Sequence, residues 1–207
     1  MTQSKTLRRW ELALLLGVAL AALLGVWLDG AQAALSDRVI RLHVLDSEAD
    51  QALKLRVRDA VLAEAEELFV PGAGRAETEE LLRAHLYDLA AAGAEVVGEA
   101  GYSYPVTASL VHDYWFPPKT YTDFALPAGA YTALRIEIGA GGGQNWWCVV
   151  FPPLCLGSVS ETTQETALEA GLTENQVSLM TGEDEGYVVK FKAVELLEQF
   201  KGWLEGR

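Results

Sequence analysis

From Leu12 to Leu28 the chain is apolar and uncharged, a pattern found nowhere else in it. Lys5, Arg8 and Arg9 lie ahead of this run, and the small-residue stretch Ala31-Gln32-Ala33 follows it. A short basic region, an apolar segment and a small-residue site make up the layout of an export signal. A core helix is seldom so uniformly apolar, and a bilayer span takes about 20 apolar residues. Two fates fit: cleavage between Ala33 and Ala34, or retention of residues 1–33 as an uncleaved anchor. In both, the positive flank stays cytoplasmic and the chain after Ala34 lies outside. Residues 34–207 then form a single α+β domain.

Beyond the apolar run the periodicity changes repeatedly. Val39 to Leu45 reads as a strand rich in β-branched residues, ending at Asp46-Ser47-Glu48. A helix is predicted from about Asp50 to Phe69, with Leu53, Val57, Ala60, Val61 and Leu68 near the 3.6 period. Pro71-Gly72-Ala73-Gly74 ends it. A second helical stretch starts near Glu77, carries Leu82, Leu86 and Leu89 on one side, and is expected to break or kink at Gly93. From Pro105 the period is two: Val106, Ala108 and Leu110 alternate with Thr107 and Ser109. An aromatic connection, Tyr114 to Pro127, leads to a strand around Thr132 to Ile138. The glycines from 139 to 143 supply a turn, and Asn145 to Phe151 is the next strand, stopped by Pro152-Pro153. A polar linker is expected near 158–170 and a short helix at Thr173 to Met180. A last strand at Tyr187 to Lys192 and a terminal helix from about Val194 close the chain. The fold class is α+β: an N-terminal strand and helices, central antiparallel strands on one hydrophobic face, and a C-terminal strand and helix.

Charge and chemistry narrow the function. The net charge of −13 disfavours nucleic acid and anionic lipid as partners, leaving membrane contact to the N-terminal segment alone. Half of the residues are hydrophobic, which is a folding composition. Cys148 and Cys155 both lie in the exported part, where an even cysteine count reads as a disulfide; two buried thiols are the other reading. Neither the zinc-binding His-Glu-x-x-His pattern nor a Gly-x-Ser-x-Gly elbow occurs, and the glycine run lacks the Lys-Ser or Lys-Thr of a phosphate loop. His85 lies among leucines of a helix, while His43 and His112 sit on predicted strands. No catalytic residue, metal ligand or cofactor is expected.

Aromatic density is more informative. Tyr114, Trp115, Phe116, Tyr121, Phe124, Trp146 and Trp147 crowd into 34 residues of the chain. Adjacent residues of a strand point to opposite faces, so one of Trp146 and Trp147 belongs to the core and the other to the surface or under a loop. Plain packing explains such a cluster; a recognition surface for protein or glycan explains it too.

Several segments, in this order, resemble the stage II sporulation protein R family of endospore-forming bacteria. They are IRLHV (Ile40 to Val44), DQALKLRVRDAV (Asp50 to Val61), FPPKTYTDFALPAGAYTALRIEIG (Phe116 to Gly139), NWWCVVFPPLC (Asn145 to Cys155) and YVVKFKAVELLE (Tyr187 to Glu198). The loop Asp46-Ser47-Glu48-Ala49 is shorter than the Asn-Ser-Asp type loop of that family. The resemblance implies an exported signal, with no enzymatic activity, that crosses the forespore membrane into the space between the septal membranes. There it would activate a membrane-embedded aspartic protease that processes the mother-cell pro-sigma E factor.

Contact with that protease is expected at Arg58 and Asp59, within the helix motif of the resemblance, at Lys119, and at the outward member of Trp146 and Trp147. A septal peptidoglycan-binding module or hydrolase is the alternative, motivated by the aromatics and the abundant carboxylates.

Overall fold

A computed structural model describes residues 9–45, 51–70, 72–141, 146–155 and 163–181. The apolar run forms one long helix, α1 (Arg9–Ser36), followed by strand β1 (Ile40–Leu45). Helices α2 (Gln51–Glu67), α3 (Arg75–Ala84) and α4 (Leu86–Glu99) come next. Strand β2 (Val106–Phe116) leads through the two-residue strands β3 (Lys119–Thr120) and β4 (Ala125–Leu126) to β5 (Gly129–Ile138) and β6 (Trp146–Phe151). Helices α5 (Thr163–Glu169) and α6 (Glu174–Thr181) complete the described elements. The fold is α+β.

The main sheet has the order β2-β5-β1-β6. Of the central strands expected to be antiparallel neighbours, β2 and β5 pair so, but β5 and β6 do not meet: β1 lies between them, and β6 pairs antiparallel with β1. β1 itself runs parallel to β5, with Leu42 opposite Leu134, so the sheet is mixed. The first strand is therefore a central one, and it is buried on both faces along almost its whole length. That burial explains its near-continuous apolar and β-branched sequence.

Alternation along β1 divides the core in two. Ile40, Leu42 and Val44 join Leu134 and Ile136 against Leu53, Val57 and Val61 of α2 and Leu89 and Val97 of α4. The other face holds Phe116, Tyr131, Ala133 and Val149 against Leu35 at the end of α1, Val177 and Met180 of α6, and Phe124 and Leu126 of the small hairpin. Each large apolar side chain buried this way contributes about 1.5–3 kcal/mol.

Three elements differ from their sequence expectation. The second helical stretch breaks at His85, not Gly93: the His85 backbone (φ −111°, ψ 19°) leaves the helix, and its ring Nδ1 lies 2.8 Å from the Leu81 carbonyl. That carbonyl can only accept, so Nδ1 carries the proton. Gly93 continues α4 because helix, neighbouring helix and strand meet there, and a Cβ would sit 3.2 Å from Val57 Cγ1 and 3.1 Å from Val106 Cγ1. The aromatic connection is more ordered than expected, since β2 runs on to Phe116 and β3 and β4 pair as a hairpin. Part of the predicted linker, Thr163–Glu169, is helix α5, because Thr166 and Ala167 find buried positions. The last predicted strand and the terminal helix lie outside the described residues.

α1 is long and apolar enough to cross a membrane, an 18-residue stretch within Glu11–Ser36 having a mean hydropathy of 2.3. It fits a signal peptide or a membrane anchor. Ala33 and Ala34 lie in its last turns and are exposed, whereas the next residue, Leu35, is fully buried. The Gln32 amide donates to the Ala128 carbonyl, and the Gln176 amide donates to the Ala34 carbonyl at 3.1 Å.

Candidate functional site

A cleft of about 420 Å³ lies where α2, the β3–β4 hairpin and strand β6 converge. Its volume falls in the range of small-ligand pockets, about 300–1,000 Å³. Arg58, Asp59 and Leu62 contribute one wall from α2. Lys119 and Tyr121 come from the hairpin, and Trp146, Trp147 and the two cysteines from β6 and the turn after it. The five residues expected to face a partner, Arg58, Asp59, Lys119, Trp146 and Trp147, thus line one cavity.

The helical wall follows from α2's apolar stripe: Val57 and Val61 bury against the sheet, which turns Arg58 and Asp59 toward the helix flank. Arg58 is held there twice. Its Nε and Nη2 donate to Asp59 Oδ1 at 2.7 and 2.5 Å. Its guanidinium lies over the Trp146 ring, 4.6 Å from the centroid.

Strand alternation separates the two tryptophans. Trp146 is 37 % exposed on the α2 side, while Trp147 packs on the opposite face near His43 and Phe116. The Trp147 Nε1–H is buried and has no acceptor among the described residues.

Cys148 and Cys155 form a disulfide, with their Cα atoms 6.1 Å apart. The bond folds the Pro152-Pro153 turn back against β6, so that Cys155 Sγ accepts the Val149 N–H at 3.0 Å. The Tyr121 hydroxyl meets the Trp147 carbonyl at 3.4 Å. Trp147 and Val149 direct their backbone groups to the same side of the strand, away from β1. One outward backbone group at each of these two positions is therefore met by a side chain, a recognised way of blunting a sheet edge.

Behind the cleft lies a residue that the sequence reading did not single out. Arg41 on β1 is fully buried, its guanidinium 4.2 Å from the Phe116 centroid and 5.0 Å from that of Tyr131. Its Nη2 lies 3.5 Å from the Tyr121 hydroxyl, and its Nε and Nη1 have no acceptor among the described residues. An unpaired buried cation costs several kcal/mol, of which each aromatic face returns about 2 kcal/mol. Burial raises the phenol pKa of both Tyr121 and Tyr131, and the positive charge of Arg41 opposes that rise. The available signal was the alternation of Arg41 and His43 with Ile40, Leu42 and Val44, which puts a cation on a second buried face.

A second polar centre joins α3 to the sheet. Glu79 accepts from Arg75 at 2.9 Å and from Arg83 at 2.7 Å, and lies 3.2 Å from His112 Nε2. His112 reaches it through a bulge in β2, where Asp113 has φ 53°. Thr132 completes the group, 3.1 Å from His112 Nδ1. Every member has a charged or hydrogen-bonding neighbour, which suits a strut between helix and sheet. His43 and His85 lie apart from it, and no group of three or more His, Cys, Asp or Glu suited to a metal occurs among the described residues.

Comparison with known proteins bears on this site. The family model for stage II sporulation protein R matches residues 36–161, a span that includes every residue lining the cleft. Stage II sporulation protein R of Bacillus subtilis (strain 168) is 36 % identical over 130 residues, covering 61 % of this chain and 58 % of that relative. No solved structure matches.

Proposed function

The chain belongs to the stage II sporulation protein R family and has a role in sporulation; from that premise we propose that it is an exported protein ligand that activates a membrane-embedded aspartic protease. The activated protease would then process the mother-cell pro-sigma E factor. In this reading the chain is not an enzyme. α1 carries it through the forespore membrane, as a cleaved signal or a retained anchor, and the α+β domain acts in the space between the septal membranes. Activation requires that the domain bind the active state of the protease more tightly than the inactive state.

The observation that carries this reading is the cleft, which gathers two cations, one carboxylate and two tryptophans from segments far apart in sequence. Aromatic and arginine side chains in a concave site are the usual anchors of protein recognition. Septal glycan binding has less support: a sugar would stack on Trp146, and Arg58 already covers a face of that ring.

The test is reconstitution of the protease and its sigma-factor precursor in liposomes, with and without the full-length chain. Precursor cleavage that depends on the chain supports the proposal. Equal cleavage in its absence removes it.

A further inference from the structure

We infer that the cleft between α2, the hairpin and β6 takes an acidic protein segment, one that carries a carboxylate beside an apolar side chain. The inference rests on reading this cleft as the partner-facing site and names the chemistry of what enters it.

Local charge is the first argument. The chain as a whole is strongly acidic, at −13, yet the cleft holds Arg58 and Lys119 against the single carboxylate of Asp59. Asp59 is already taken, since two Arg58 donors converge on its Oδ1. Lys119 is exposed and pairs with no carboxylate among the described residues. Arg41 adds a positive charge behind Tyr121, a lining residue, with no carboxylate against it among the described residues. At physiological salt, repulsion from distant surface carboxylates is screened beyond about 8 Å, so these nearby cations set the preference.

Unmet donors beneath the cleft are the second. Among the described residues the buried Trp147 Nε1–H and two nitrogens of Arg41 have no acceptor. The Trp147 ring packs on the far face of the sheet and Arg41 is fully buried, so these groups make no direct contact with a ligand. They add positive potential under the cleft floor, which favours a carboxylate over a neutral group above it.

The edge of β6 is the third. The Trp147 carbonyl already meets Tyr121 and the Val149 N–H meets Cys155, so main-chain pairing with an added strand would be incomplete at these positions. Recognition falls to side chains. Lys119 and the free side of the Arg58 guanidinium face a carboxylate, while Leu62, Trp146 and the disulfide offer apolar surface beside them.

The test uses the full-length chain in lipid nanodiscs and follows tryptophan fluorescence. Three probes are titrated: an acetylated peptide with two glutamates flanking a phenylalanine, the same peptide with glutamines, and a neutral N-acetylglucosamine tetramer. The glutamate peptide is expected to bind about tenfold tighter than the glutamine peptide, the factor for one lost charge-assisted contact. Lys119→Glu should abolish that difference and Lys119→Arg should keep it. Lys119 is exposed on a two-residue strand, so neither change touches the core. Equal binding of the two peptides, binding of the glycan alone, or no binding of any probe at millimolar concentration overturns the inference. Protease activation is scored separately. Normal activation without charge discrimination removes this inference alone, whereas discrimination without activation removes the proposed function alone.

Discussion

The guanidinium of Arg58 lies 4.6 Å from the centre of the Trp146 ring, joining the exposed flank of α2 to the start of β6. This pair sets the width of the cleft from its helical side. Trp146→Ala removes the ring without opening the core, because Trp146 is already 37 % exposed. The loss of one exposed cation–π contact costs about 0.5–1 kcal/mol. Thermal unfolding should therefore shift by only about 1–4 °C. Chain-dependent processing of the sigma-factor precursor should fall about tenfold or more, as for a binding hot spot. Reconstituted cleavage and calorimetry on the same variant separate the two effects.

Replacing Cys148 and Cys155 together by serine removes a bond that closes a short loop. The chain-entropy estimate for such a loop is about 2.5 kcal/mol. Denaturant unfolding of the double variant should show that loss. The cleft should lose ligand discrimination as well, because Cys155 no longer holds its turn against Val149. Unchanged stability of the double variant would show that the turn is held by packing alone.

Alkaline pH should destabilise the domain. Burial raises the phenol pKa of Tyr121 and Tyr131 above the ordinary value, only partly offset by Arg41. A raised folded-state pKa means that the native state keeps the proton. The stabilisation is fully present below the unfolded value of about 10, and it declines as pH rises above that value. Each phenol contributes a slope of up to about 1.4 kcal/mol per pH unit above pH 10. Tyr121→Phe should lower the slope by one group, measured by urea unfolding between pH 8 and about 11.

Two glycines of α4 should respond in opposite directions. Gly93 packs directly on Val57 and Val106, so Gly93→Val forces the layers apart at a cost of about 2 kcal/mol. Gly98 has nothing within 4 Å of a built Cβ, so Gly98→Ala should stabilise the helix by about 0.5 kcal/mol. Paired thermal melts decide both.

The contrast also shows what the sequence could convey. β1 and α2 were legible because a run such as Ile40 to Leu45, or the spacing of Leu53, Val57 and Val61, encodes its own burial. The break at His85 was not, since it comes from a ring-to-carbonyl hydrogen bond that no propensity registers, whereas Gly93 only looked like a breaker. The parallel pairing of β1 with β5 joins segments some 90 positions apart, with Ile40 opposite Thr132, and alternation within either strand is silent about it. The individual cleft residues were nameable from motif and aromatic density. Their convergence was not, because it depends on α2, the hairpin and β6 packing around one edge. Arg41 was missed for the same reason: the rings that enclose it come from β2 and β5.

The central claim is that this domain works by occupying its protease through the cleft. The most direct measurement is precursor cleavage in proteoliposomes as a function of added full-length chain, wild type against Lys119→Glu, with circular dichroism confirming that both are folded. Cleavage that saturates with the wild-type chain, and needs about tenfold more of the variant, is the predicted result. Identical curves for the two chains, or cleavage indifferent to either, would contradict it.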